Sequence, residues 1–119
     1  YIPARITALL MLLAPLPRQE KGSGAASRLR FVFLYGPQHA SPNSGWPEAA
    51  LASILNCRFG GPHNYFGEVF HKPYIGENPK ELTTKDMRIS LRVCLVAECM
   101  AIVLCMAGRC LLYWLNAYM

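Results

Sequence analysis

The stretch TTKDMRISLRVCLVAECMAIVLCMAGRCLLYWLNAYM, residues 83 to 119, decides what kind of protein this is. Its first four residues, Thr83-Thr84-Lys85-Asp86, hold a hydroxyl and a carboxylate three positions apart. That is the spacing of a capping box, in which each side chain satisfies a free backbone donor at a helix start. From Val93 to Gly108 the 16 residues include one charge, Glu98, and beyond Arg109 the chain is apolar again, with Tyr113, Trp114 and Tyr118 near its end. A helix rising about 1.5 Å per residue would cross the roughly 30 Å hydrocarbon core and set those aromatics at one interface. The pattern predicts one long transmembrane helix over residues 84 to 119.

Glu98 and Arg109 stand eleven residues apart, close to three helical turns, and so project from nearly the same face. Charge inside a bilayer is costly and faces protein or a cavity, so this face is expected to turn toward other helices. The chain holds no further helix of sufficient length, which suggests that partner helices lie elsewhere in a longer protein.

At the other end, residues 1 to 16 read as the end of an apolar helix stopped by Pro15 and Pro17, since proline lacks the backbone donor and restricts the residue before it. Its apolar part, Ile6 to Leu16, is shorter than the roughly 20 residues of a span, so it is a buried helix or a truncated one. The chain opens at Tyr1 inside this stretch and carries no recognisable cleavage site after it, and we read it as a fragment.

Between these ends, residues 17 to 35 read as a polar linker, RQEKGSGAASR, followed by a short apolar segment, LRFVFLY, that is either helix or strand. Residues 36 to 83 read as turn-rich loops around one helix from about Pro47 to Asn56, with proline at its first position and Glu48 in its first turn. The later part, CRFGGPHNYFGEVFHKPYIGENP, is so rich in glycine and proline that only YFGEVF looks like strand. The fold class expected is mainly α: an integral membrane helical fragment with a turn-rich polar loop region between apolar ends.

Composition agrees. Hydrophobic residues make up 53% and charged residues only 16%, against about 25% charged in an ordinary soluble domain. The net charge of +5 is not a nucleic-acid footprint, because the excess lies in the linker (Arg18, Lys21, Arg28, Arg30) while residues 36 to 90 are balanced. A basic linker beside an apolar segment fits the positive-inside bias of membrane proteins instead. Of the five cysteines, Cys94, Cys99, Cys105 and Cys110 lie within or beside the C-terminal apolar run, and their spacings match no CxxC zinc pattern; with Cys57 they read as reduced, buried small hydrophobes.

The chemistry-bearing residues crowd into the loops. His39, His63 and His71 share them with Glu48, Glu68 and Glu77, but without metal-ligand spacing, and local hydrogen bonding outweighs a metal site. Glu48 serves a helix dipole as readily as a ligand. Asn43 and Ser44 suit a turn before a helix, and Arg58 and Lys72 suit phosphate or plain solvent. Trp46, Tyr65, Phe66 and Tyr74 either pack beneath the loops or offer a face to a large flat ligand.

The strings HASPNSGWPEAA (39 to 50), RFGGPHNYFGEVFHKPYIGE (58 to 77) and the opening YIPARITALL resemble the C-terminal part of the CobD/CbiB family, the adenosylcobinamide-phosphate synthases of cobalamin biosynthesis. The resemblance covers almost the whole chain and is weakest from Pro17 to Phe33 and in the final helix. It implies a multi-pass protein of the cell membrane with its motif loops in the cytoplasm. It also implies ATP-driven amide ligation of adenosylcobyric acid, a corrinoid, with aminopropanol or its phosphate. ATP with Mg²⁺ would be the cofactors, and the partners would be these small molecules, membrane lipid and the missing N-terminal helices, with no nucleic acid.

Carried onto this chain, the resemblance makes Glu48 and His39 candidates for catalysis, with Asn43, Ser44, Trp46, Arg58, Tyr65 and Lys72 as substrate-binding candidates. The metal ligand stays unknown, with Glu48 a possibility. Two departures stand out: an acidic residue expected shortly before His39 is absent from Tyr35-Gly36-Pro37-Gln38, and Gln38 replaces an expected basic residue. With the upstream helices missing, this chain alone is expected to be inactive. The competing expectation is a non-catalytic membrane scaffold or corrinoid-binding fragment.

Overall fold

A computed structural model describes residues 1–14 and 24–119; the expected helix stop at Pro15 and Pro17 and the first part of the basic linker lie outside them. The capping box forms as its spacing predicts. Thr83 is the N-cap of a 35-residue helix, Thr84–Tyr118, its Oγ1 accepting the Asp86 N–H at 3.3 Å while the Asp86 carboxylate accepts the Thr83 N–H at 2.9 Å. Lys80 donates to the same carboxylate at 2.7 Å and reaches the Leu55 carbonyl at 3.3 Å. One ammonium thus joins the start of the long helix to the end of an earlier one, where a cation complements the exposed carbonyls.

The Lys80 hydrogen bond, followed by the Thr83 N–H and hydroxyl, lowers the Asp86 carboxyl from 3.8 to about 2. Asp86 lies outside the apolar segment that starts at Val93. A carboxyl held below its unfolded value stabilises the fold fully above that value, because the unfolded chain then binds no more protons than the native one. The contribution is lost as pH falls through 3.8 toward 2. Thermal melting of the wild type should therefore decline across this window, and Asp86→Asn should flatten the decline; an identical acid profile in the variant would refute the assignment.

The described residues form four helices, α1 (Ile2–Leu13), α2 (Ala25–Tyr35), α3 (Gly45–Leu55) and the long α4 (Thr84–Tyr118), with a short 3-10 turn at Gly36–Gln38. α1 ends where Ala14 turns extended (ψ 132°), the conformation that a following proline favours. The segment LRFVFLY resolves as helix, burying Val32. α3 is the central element, packed by α1 and α2. Its Ala49, Ala50 and Ala52 have no exposed surface, and such small side chains let two helices approach the same short rod.

α3 begins two residues before the expected Pro47. Proline at the third helical position costs no hydrogen bond, because the first-turn N–H groups have no intrahelical acceptor. Gly45 is required by contact: a Cβ there would stand 2.2 Å from the Gly36 carbonyl oxygen and 2.6 Å from His39 Cβ. The 3-10 turn and the start of α3 are therefore pressed together.

Regular structure is not all helical, and here the loop expectation needs correction. Residues Phe59–Tyr65 (β1) and Glu68–Ile75 (β2) pair antiparallel, with Gly61 opposite Lys72 and His63 opposite Phe70. The piece YFGEVF spans the turn, where Phe66 and Gly67 both take positive φ (52° and 91°), the requirement of a tight two-residue hairpin. Pro62 and Pro73 are compatible with pairing because a two-stranded sheet consists only of edges. A bulge between Phe59 and Gly61 lets the Tyr74 ring cover Gly61, where a Cβ would meet it at 2.5 Å.

α4 buries Ile89, Val93 and Ala97, spaced by one turn, against the body, and from Ile102 to its end every residue is exposed. It is long and apolar enough to cross a membrane. Glu98 and Arg109 are exposed on it. All five cysteines are free, but only Cys57 is buried; Cys94, Cys99, Cys105 and Cys110 stand exposed on α4, because α4 turns other residues to the body.

Candidate functional site

The pressed junction of the 3-10 turn and α3 sets His39 beside the first turn of α3. Its Nδ1 accepts the Ser41 backbone N–H at 2.9 Å and lies 3.0 Å from Ser44 Oγ. Its Nε2 lies 3.7 Å from Glu48 Oε2, one helical turn beyond Ser44. The hairpin closes over this pair from the other side. His39 and Glu48 join Phe59, His63, Lys72 and Pro73 in lining a pocket of about 340 Å³, within the range of small-molecule sites.

The pocket is chemically mixed. Glu48 supplies an anion, Lys72 a cation and the two histidines ring nitrogens, over a floor that includes Ile75. Such a set can orient a polar ligand by opposite charges at two ends and accept or donate a proton between them. Among the described residues, no three His, Cys, Asp or Glu side chains converge as ligands of one metal ion would.

The remaining sequence candidates take other positions. Tyr65, at the hairpin tip, meets Phe70 edge-on at 5.9 Å and has the Lys72 Nζ 6.0 Å from its ring centre, so it borders the pocket through Lys72. Arg58 stacks over Tyr74 at 4.3 Å. Asn43 is exposed in the turn before α3. Trp46 is only 6% exposed and does not line this pocket: Arg5 covers its ring at 4.3 Å and Phe33 meets it edge-on at 5.5 Å. The aromatic density of the loops is thus divided between packing (Trp46) and exposed surface (Tyr65, Phe66).

One polar contact escaped the sequence reading. Tyr35 donates its hydroxyl to Glu77 at 2.7 Å across 42 residues, and this bond to the carboxylate raises the Tyr35 pKa. It borders a second, separate pocket with Arg30, Asn56 and Asn78. No local signal could have paired two residues so far apart.

Residues 1–94 match the family described as CobD/Cbib protein. The chain is 38% identical over 115 residues to the cobalamin biosynthesis protein CobD of Klebsiella pneumoniae, an overlap covering 97% of this chain and 34% of that protein. It is 37% identical over 110 residues to the cobalamin biosynthesis protein CbiB of Salmonella typhimurium, covering 92% and 34% of the two. A third relative, the cobalamin biosynthesis protein CobD of Citrobacter koseri, is 38% identical over 111 residues, covering 93% and 34%. The chain spans about a third of the length of these curated relatives. No solved structure matches it.

Proposed function

Because the chain belongs to the CobD/CbiB family, we propose that it forms the C-terminal part of a membrane-bound, ATP-dependent ligase of cobalamin biosynthesis. The reaction joins the carboxyl group of adenosylcobyric acid to aminopropanol or its phosphate. A carboxylate is a poor acyl donor, so ATP converts it to an activated acyl species that the amine attacks. Catalysis then rests on positioning and on stabilising phosphate charge.

The observation that carries this reading is the convergence of His39, Glu48 and Lys72, drawn from the two motif strings, on one pocket. Lys72 is the candidate for substrate phosphate, and Glu48 for the amine. Arg58 stacks its guanidinium over Tyr74 and does not line this pocket; it is a phosphate candidate on the adjoining surface of the hairpin. Magnesium accompanying ATP would be held by the nucleotide's phosphates and water, which supply most of that ion's ligands, leaving Glu48 to the amine. Bound there, it would neutralise phosphate charge.

The exposed apolar half of α4 supports membrane insertion; the pocket would lie on the cytoplasmic side, where ATP is available. In proteoliposomes of the full-length protein, adenosylcobyric acid, aminopropanol phosphate and MgATP should yield the amide, with no product when ATP is withheld. An epitope placed between β1 and β2 should be cleaved by protease only from the cytoplasmic side. Corrinoid binding without ATP-dependent product would replace this reading with a non-catalytic one, and protection of the epitope on the cytoplasmic face would overturn the topology.

A further inference from the structure

His39 is gripped on one edge and open on the other. Its Nδ1 edge meets the Ser41 N–H at 2.9 Å, Ser44 Oγ at 3.0 Å and the Ser41 carbonyl oxygen at 3.3 Å. Among the described residues its Nε2 edge has one polar neighbour in reach, Glu48 Oε2 at 3.7 Å, and both side chains line the pocket. Ser44 is the N-cap residue of α3, yet its side chain makes no capping bond. Serine at this position ordinarily caps the helix; here its hydroxyl is turned to the histidine.

A backbone N–H can only donate, so the Ser41 contact requires a lone pair on Nδ1. A proton on Nδ1 would set two N–H groups against each other at 2.9 Å and leave a bare Nε2 lone pair facing a carboxylate. The Ser41 carbonyl and Ser44 Oγ could accept such a proton, but neither removes the opposed N–H groups. Both edges of the ring therefore favour a proton on Nε2 and a lone pair on Nδ1.

Taking the ligase reading as premise, we propose that Ser44 and the Ser41 backbone are positioning groups that hold His39 as an Nε2–H donor toward Glu48, leaving Glu48 to accept the proton of the attacking amine. A nitrogen already carrying hydrogen has no lone pair for that proton. In the acyl-transfer step the amine nitrogen forms its bond to the acyl carbon of an acyl phosphate made with ATP. The carbon–oxygen bond to phosphate breaks with its electron pair leaving on phosphate, and the nitrogen's proton passes to Glu48. At 3.7 Å the His39 N–H faces one Glu48 oxygen as a dipole toward a charge, longer than a hydrogen bond, and the other oxygen is left for the amine.

The tautomer is read without substrate. The chain has three histidines; in a ¹⁵N-histidine-labelled sample in detergent micelles, the His39 ring is identified by its loss in His39→Gln. At neutral pH its spectrum should show Nε2 protonated and Nδ1 bare. Ser44→Ala should shift the spectrum toward a tautomer mixture, and Ser44→Thr, which keeps the hydroxyl, should restore it. A wild-type Nδ1–H tautomer, or a Ser44→Ala spectrum identical to wild type, overturns the positioning role.

In the full-length protein, Glu48→Gln should lower turnover about 10²–10⁴-fold, and His39→Gln, which retains an N–H donor, should lower it less. Equal losses in both would overturn the division of roles. Failure of the ligase reading would appear as no ATP-dependent product from the parent itself, with the tautomer measurement unaffected.

Discussion

Replacing Glu48 by Gln in the full-length protein should reduce amide formation about 10²–10⁴-fold, the usual weight of a positioned proton acceptor. The variant keeps the size of the side chain and its place in the first turn of α3, and Glu48 is part-exposed at the pocket, so folding should be preserved. Lys72→Met removes a charge while keeping the apolar stem. Loss of one charge-assisted hydrogen bond, about 1.5–3 kcal/mol, corresponds to a roughly 10–150-fold rise in KM for the phosphate-bearing substrate, with less change in kcat. The two variants therefore separate by kinetic parameter. Undiminished turnover in both would return Glu48 to the service of the helix dipole and Lys72 to solvent.

Trp46→Ala should act on the fold itself. Truncating a buried tryptophan costs about 3–5 kcal/mol, and here it also removes the platform for Arg5 at 4.3 Å and the edge contact with Phe33 at 5.5 Å. For a chain of this size we expect the melting temperature to fall by roughly 10 °C or more. Trp46→Phe should recover part of the loss, since it keeps an apolar ring over Gly36, where space is tight enough that a Cβ would lie 3.1 Å from the indole. The readout distinguishes packing from binding. Unchanged melting together with a raised KM for the corrinoid would mean that Trp46 is a ligand face rather than a structural one.

Legibility in the sequence followed the range of each interaction. The capping box at Thr83 and Asp86 was readable because its partners are three residues apart and close their hydrogen bonds within one turn. The hairpin was missed because Gly60, Gly61, Pro62 and Pro73 are punctuation in the sequence, whereas positive φ at two glycines and edge positions for two prolines make them compatible with strands. The polar candidates were readable as residue types, but their grouping was not: Glu48 and Lys72 are brought to one pocket by the packing of the hairpin against α3, and Trp46, from the same motif, turns the other way into the core.

By itself the sequence determined the long apolar helix and its start, a helix bearing Glu48 in its first turn, and the family, because each depends on neighbours along the chain or on a specific string of rare residues. Only the tertiary structure decided which loop residues share a pocket, that Ser44 serves His39 instead of its helix, and which aromatic is core. Those choices depend on how closely the 3-10 turn, α3 and the hairpin can approach one another. The approach of the 3-10 turn to α3 is set at Gly45, whose missing side chain admits the Gly36 carbonyl and His39, a contact that shows only once the chain has folded back on itself.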